Sequence, residues 1–244
     1  MDDAMPSPAA NAPPASLARP SGAAPCDIPG LNAFVDLSHH NQDVDLATAR
    51  RSGLVGLLHK ATQGVSFVDP TWVERARQAR ELGLLLGAYH FCTNEPVEAQ
   101  LDHFLGVLAR AGAAGVLPCL DWEPNPDVSQ GTLTLEGLVE LTDRFHARTG
   151  VYPVLYGGYW MLGALSSGRP LGGIGRCPLW QGFYSRAFGW LSDIWERWTL
   201  LQYTDGTLGP GPHAFPGLGA VDRDTFNGTL EDANAFWAAN ALRG

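Results

Sequence analysis

The sequence predicts an α/β barrel whose second half is irregular. Three observations carry that expectation: about eight extended segments occur, helical stretches separate the first five, and the later ones follow one another with little helix between them. A doubly wound open sheet is the rival, but no G-x-G-x-x-G phosphate turn follows the first strand. With 244 residues and 45% apolar side chains, the chain can fill one large core.

Residues 1–30 are rich in Pro, Ala and Ser and nearly free of large apolar side chains. Such a segment buries too little surface to offset the entropy of ordering, so it reads as a flexible leader before a single barrel domain at 31–244. Strands are then expected at 33–37, 54–60, 84–91, 115–120 and 151–156. Helices alternate with them. A short one covers 45–51. The next covers 70–82, with Asp69 as N-cap and Pro70 in its first position. The third covers 95–111, where Val97, Leu101, Phe104, Leu105 and Leu108 recur with a helical period. The fourth covers 135–149 and ends at Gly150. Later, 178–183, 198–203 and 219–225 read as extended, and 231–242 as a terminal helix.

The net charge of −9 argues against a nucleic-acid partner, which calls for a basic face. The N-terminus lacks the basic start and apolar core of a secretory signal, and no apolar run nears the roughly 20 residues of a membrane span. These features predict a protein made soluble in the cytoplasm, which needs some non-classical release or delivery to act outside it. Cys26, Cys92, Cys119 and Cys177 lie far apart, with no C-x-x-C spacing. They read as buried thiols, although Cys92 and Cys119 could meet on neighbouring strands and leave one bridge open.

The chemistry concentrates in Leu117-Pro118-Cys119-Leu120-Asp121-Trp122-Glu123. On a strand, alternation puts Asp121 and Glu123 on one face and Trp122 on the other. Two crowded carboxyls cannot both ionise cheaply, so the pair divides into a proton donor and an anion, the equipment of a glycosidase. Asp36 and Asp222 also fall at strand ends. The C-terminal mouth of a barrel would gather all four, although a single Asp after a strand more often caps a turn. His90 reads first as a hydrogen-bonded core histidine. Lys60, inside an apolar strand, either snorkels or pairs with a site carboxylate, and the pair is favoured. His39-His40 lacks a third ligand at useful spacing, so no metal is expected.

Taken in order, Phe34-Val35-Asp36-Leu37-Ser38, His59-Lys60-Ala61-Thr62-Gln63-Gly64, Gly87-Ala88-Tyr89-His90-Phe91, Leu120-Asp121-Trp122-Glu123, Leu155-Tyr156, Leu179-Trp180 with Tyr184, Gln202-Tyr203-Thr204 and Val221-Asp222 resemble glycoside hydrolase family 25, the Chalaropsis-type muramidases. The resemblance implies an irregular, TIM-like (β/α)5β3 barrel that cleaves the β-1,4 bond between N-acetylmuramic acid and N-acetylglucosamine. It also implies Glu123 as general acid, with Asp121, Asp36 and Asp222 completing the acidic floor. Tyr89, His90, Tyr156, Tyr184 and Gln202 would line the groove, Lys60 joins them as a substrate-binding candidate from its own strand position, and no cofactor is implied. Gln63 departs from the Glu usual at its position, and His39-His40-Asn41 continues the first motif unusually.

The expected partner is the glycan strand of bacterial peptidoglycan, met by a monomer. Phage lysis and an antibacterial toxin, the latter with delivery machinery and an immunity protein, are the two roles that fit. A chitin-directed glycosidase and a non-catalytic glycan-binding barrel are the alternatives.

Overall fold

The computed structural model describes residues 28–166, 168–185 and 193–243. Cys26 and nearly all of the expected leader lie outside the described residues. In chain order the elements are β1 (Leu31–Leu37), α1 (Leu46–Arg51), β2 (Gly56–Gln63), β3 (Phe67–Val68), α2 (Trp72–Glu81), β4 (Leu85–Phe91), α3 (Val97–Ala111), β5 (Leu117–Asp121), α4 (Leu135–Thr149), β6 (Val154–Gly157), α5 (Tyr159–Leu165), β7 (Leu179–Gly182), β8 (Leu200–Asp205), β9 (Ala214–Phe215), β10 (Gly219–Ala220), β11 (Asp222–Phe226) and α6 (Leu230–Asn240).

Strands β1, β2, β4, β5, β6, β7 and β8 pair in parallel in that order. β11 then enters between β8 and β1, antiparallel to both, and closes the ring. Five strand–helix units are followed by three strands with no α-helix between them among the described residues, the (β/α)5β3 arrangement. β3 extends the edge of β2, and β9 and β10 form a separate small hairpin.

Alternation along each strand divides the apolar residues into two layers. Phe34, Leu58, Leu117, Cys119, Val154, Trp180, Leu200 and Phe226 fill the interior. Val35, Leu57, Leu120, Leu155 and Leu201 face outward into the layer that the helices cover. α6 closes the base. Trp237 stacks on Phe34 with ring centroids 5.5 Å apart and donates its indole N–H to the Leu86 carbonyl at 3.0 Å. Gly56 is required beside this plug, because a Cβ there would lie 2.2 Å from the Phe34 ring. This plug fills the interior at one end of the strands, and the site acids gather at the other.

Several local expectations need correction. α2 begins at Trp72 after Thr71, two residues later than expected. Asp69 is not its N-cap: its carboxylate accepts from the Thr71 backbone N–H at 2.9 Å and from the His39 backbone N–H at 2.8 Å. α5, flanked by glycines, was not anticipated. Cys92, Cys119 and Cys177 are buried and free. Cys119 belongs to the interior cluster and Cys92 to the outer one, so the barrel wall separates them and the conceivable bridge is ruled out. Among the described residues, no helix is long and apolar enough to cross a membrane.

Candidate active site

The mouth collects acids from three directions. Asp36 comes near the end of β1 and Asp121 at the end of β5, both 6% exposed. Glu123 follows two residues beyond and is partly exposed. Asp222 arrives differently. It is the first residue of β11, and because β11 runs against its neighbours, a strand start is delivered to the mouth, opposite Asp36 and Asp205. The four expected acids therefore meet, although Asp222 does so from the opposite end of its strand.

Alternation places Trp122 outside the wall, 1% exposed, where its indole N–H donates to the Leu133 carbonyl at 2.7 Å. That anchor leaves Asp121 and Glu123 facing the interior side. Behind Trp122 lies a cavity of about 410 Å³ lined by Leu133, Leu135 and Trp160. It contains none of the acids, so the chemistry belongs to the open mouth.

Gln202 is the hub of the floor. Its Oε1 accepts the Tyr156 hydroxyl at 2.7 Å and the Tyr184 hydroxyl at 2.6 Å, and its Nε2 donates to Asp36 Oδ2 at 2.7 Å. Three predicted groove residues thus join one predicted acid in a single buried network. Tyr89 also faces inward, its ring edge-on to Trp180 at 6.1 Å.

His90 is the hydrogen-bonded core histidine of the first reading and not a groove residue, and Lys60 keeps its inward place with a different partner. His90 cannot face the mouth, because the adjacent Tyr89 already does. It is fully buried on the helix side, where Nδ1 meets Thr62 Oγ1 at 2.8 Å and Nε2 meets Gln100 Oε1 at 3.2 Å. A register shift between Lys60 and Thr62 on β2 lets Lys60 stay inward while Thr62 turns out to His90. Lys60 does not form the expected direct ion pair. Its ammonium donates to Gln63 Oε1 at 2.7 Å and lies 4.8 Å from the Phe91 ring centre. Gln63 Nε2 in turn donates to Gln130 Oε1 at 2.7 Å, tying β2 to the loop after Glu123. His39 is taken up by Asp69, with Nδ1 2.9 Å from Oδ2. Among the described residues, no three His, Cys, Asp or Glu side chains are grouped as a metal site.

The electrostatics follow from burial and crowding. Burial pushes the Glu123 carboxyl up to about 7, against the pull of Lys60. Burial raises Asp121 well above the carboxylate range. Glu123 and Asp36 add to that, and Lys60 opposes it. Burial, Asp36, Asp205 and Glu123 carry Asp222 up to about 9. Asp36 is raised by burial and then by Asp224. Asp121 Oδ1 is buried without a hydrogen-bond partner, so it is an acceptor with nothing to accept until a donor enters the groove. The arrangement offers a protonated carboxyl beside an unpartnered carboxyl oxygen at an open cleft.

One acid escaped sequence reasoning. Asp224 is fully buried and accepts the Trp180 indole N–H at 2.6 Å. The signal was present: Asp222 and Asp224 repeat the one-residue spacing of Asp121 and Glu123.

The chain is 27% identical over 219 residues to lysozyme M1 of Streptomyces globisporus, covering 84% of this chain and 70% of that protein. It is 28% identical over 198 residues to the N,O-diacetylmuramidase of Chalaropsis sp, covering 74% and 91%. Its fold matches the bacterial lysozyme from Streptomyces coelicolor with a TM-score of 0.72 at 24% identity, covering 88% and 100%. Residues 35–211 match the model for glycosyl hydrolases family 25, a span that takes in the barrel from Asp36 through Glu123 to Gln202, and the chain belongs to that family of glycoside hydrolases.

Proposed function

We propose that this hydrolase cleaves the β-1,4 bond between N-acetylmuramic acid and N-acetylglucosamine in peptidoglycan, with residues 31–244 as the catalytic unit. The observation that carries the reading is the adjacency of Glu123, held protonated to about pH 7, and Asp121, whose buried Oδ1 lacks a partner.

Glu123 gives its proton to the glycosidic oxygen as the bond to the anomeric carbon breaks. The carbonyl oxygen of the substrate's own 2-acetamido group attacks that carbon from the opposite face. Asp121 Oδ1 accepts the acetamido N–H and stabilises the positive charge that develops. Water then opens the cyclic intermediate, with Glu123 acting as base and recovering its proton, so configuration is retained. Lys60 restrains the pKa of both acids. Tyr89, Tyr156, Tyr184 and Gln202 shape the floor, and the scheme uses side chains alone.

The enzyme acts on cell wall, in the periplasm or outside the cell, as a monomer that serves phage lysis or antibacterial attack. Parallel digestion of purified peptidoglycan and of chitin, with mass analysis of the new reducing ends, tests the substrate. Muramic acid at the reducing ends supports the reading. Cleavage of chitin alone, or of neither polymer, refutes it.

A further inference from the structure

One layer beneath the mouth lies an acid that the hydrolytic scheme leaves unused. Asp224 is fully buried. Its Oδ1 takes the Trp180 N–H at 2.6 Å, while its Oδ2 is buried with no N–H or O–H partner. Leaving such an oxygen unpaired is costly.

The pairing of β11 fixes what stands beside that oxygen. Asp224 is opposite Phe34 of β1 and Gln202 of β8, and Asp222 is opposite Asp36. Residues two apart on a strand share a face, so the Asp224 carboxyl lies on the inner face one step below Asp36. The two carboxyl groups are near enough for a side-chain hydrogen bond. Ionised carboxylates only accept, so that bond exists only if one of the pair carries a proton.

We propose that Asp36 and Asp224 share one proton, Asp36 O–H donating to Asp224 Oδ2, so that Asp224 is a positioning residue that holds Asp36 as a neutral acid.

The surroundings support this assignment. Asp36 is faced by Asp222, Asp121, Glu123 and Tyr89, none of them cationic. Asp224 is faced by Cys119, Asp222 and Arg223. Arg223 spends its guanidinium on the outer face, donating to the Ala214 carbonyl at 2.9 Å and lying 4.9 Å from the Phe215 ring centre. Burial pushes Asp224 up to about 7, with the Trp180 and Asp36 hydrogen bonds opposing it. Gln202 Nε2 fixes the other side of Asp36.

The assignment rests on the hydrolase reading only for its consequence. Asp36 meets the sugar as a neutral hydrogen-bonding group, and the pair's single negative charge sits one layer lower.

Carboxyl carbon-13 NMR titration of aspartate-labelled protein tests it without substrate, with the Asp36 resonance assigned by its loss in Asp36→Asn. In the wild type, Asp36 should remain protonated at about pH 6, well above the ordinary aspartate value, and its resonance should titrate over the same range as that of Asp224. Asp224→Asn removes both the acceptor and the like charge, so the Asp36 midpoint should fall by at least about one pH unit. Trp180→Phe makes Asp224 a stronger base and should move the midpoint upward. General loosening of the barrel does not produce opposite shifts. An Asp36 already ionised at about pH 6, or a midpoint that Asp224→Asn leaves in place, overturns the proposal. If Asp224→Asn fails to fold, the joint titration in the wild type decides alone. Peptidoglycan cleavage is a separate measurement, so loss of either result leaves the other standing.

Discussion

Replacing Glu123 with glutamine should abolish turnover and at the same time strengthen the fold at alkaline pH. The shift from 4.5 to about 7 corresponds to roughly 3.5 kcal/mol for ionising this carboxyl in place, at about 1.4 kcal/mol per pH unit. Its partial exposure screens the effect to about 2 kcal/mol. The sign follows from linkage. A carboxyl whose folded value is raised contributes stability that is fully present below its unfolded value and is lost as pH rises through about 7. Glutamine has the same shape and no such loss. Urea unfolding should therefore give nearly equal stabilities at about pH 4 and a Glu123→Gln variant more stable by about 2 kcal/mol at about pH 8. Activity on peptidoglycan should fall by roughly 100- to 10,000-fold, the usual contribution of a positioned general acid. Parallel stability curves for the two proteins, or undiminished cleavage by the variant, would refute the reasoning.

Three further outcomes follow from named contacts. Lys60→Met removes the cation that lowers both Asp121 and Glu123, so the alkaline limb of the kcat/KM profile on soluble glycan fragments should move to higher pH; a limb that moves down or stays put contradicts the electrostatic role. Gln202→Leu strips partners from Tyr156, Tyr184 and Asp36. At about 1–3 kcal/mol per buried group left unpaired, the urea midpoint should drop sharply. Thr229→Ala breaks the capping box that starts α6, in which Thr229 and Asp232 bond reciprocally. It should cost about 1 kcal/mol in thermal unfolding while leaving cleavage unchanged.

Much of the barrel was legible because its chemistry is local. The apolar runs of β1, β2, β4 and β5 and the helix between Thr134 and Gly150 carry their own periods and caps. Asp121 and Glu123 could be placed together because one residue of spacing fixes a shared face. What escaped depends on partners distant in sequence. Nothing within the segment 219–226 says that β11 runs against its neighbours, so the way Asp222 reaches the mouth had to come from the sheet. The family resemblance set His90 in the groove beside Tyr89, but strand alternation sends these neighbours to opposite sides of the wall, and the reading of His90 as a hydrogen-bonded core histidine is the one the sheet supports. Lys60 was expected to find a carboxylate, but Gln63, three residues on, is the nearer acceptor, a choice set by the bulge in β2. The face rule that singled out Asp121 and Glu123 applies equally to Asp222 and Asp224, and extending it would have exposed the deeper acid.

The antiparallel closing strand has a consequence for when this protein can become active. The segment that seals the seam between β8 and β1 also carries two of the acids, and it is translated after the other described strands of the ring. A growing chain that has reached Gln202 already possesses Glu123 and Asp121 but has an unsealed wall and an incomplete floor. On the proposed scheme, competence to cut arrives together with ring closure.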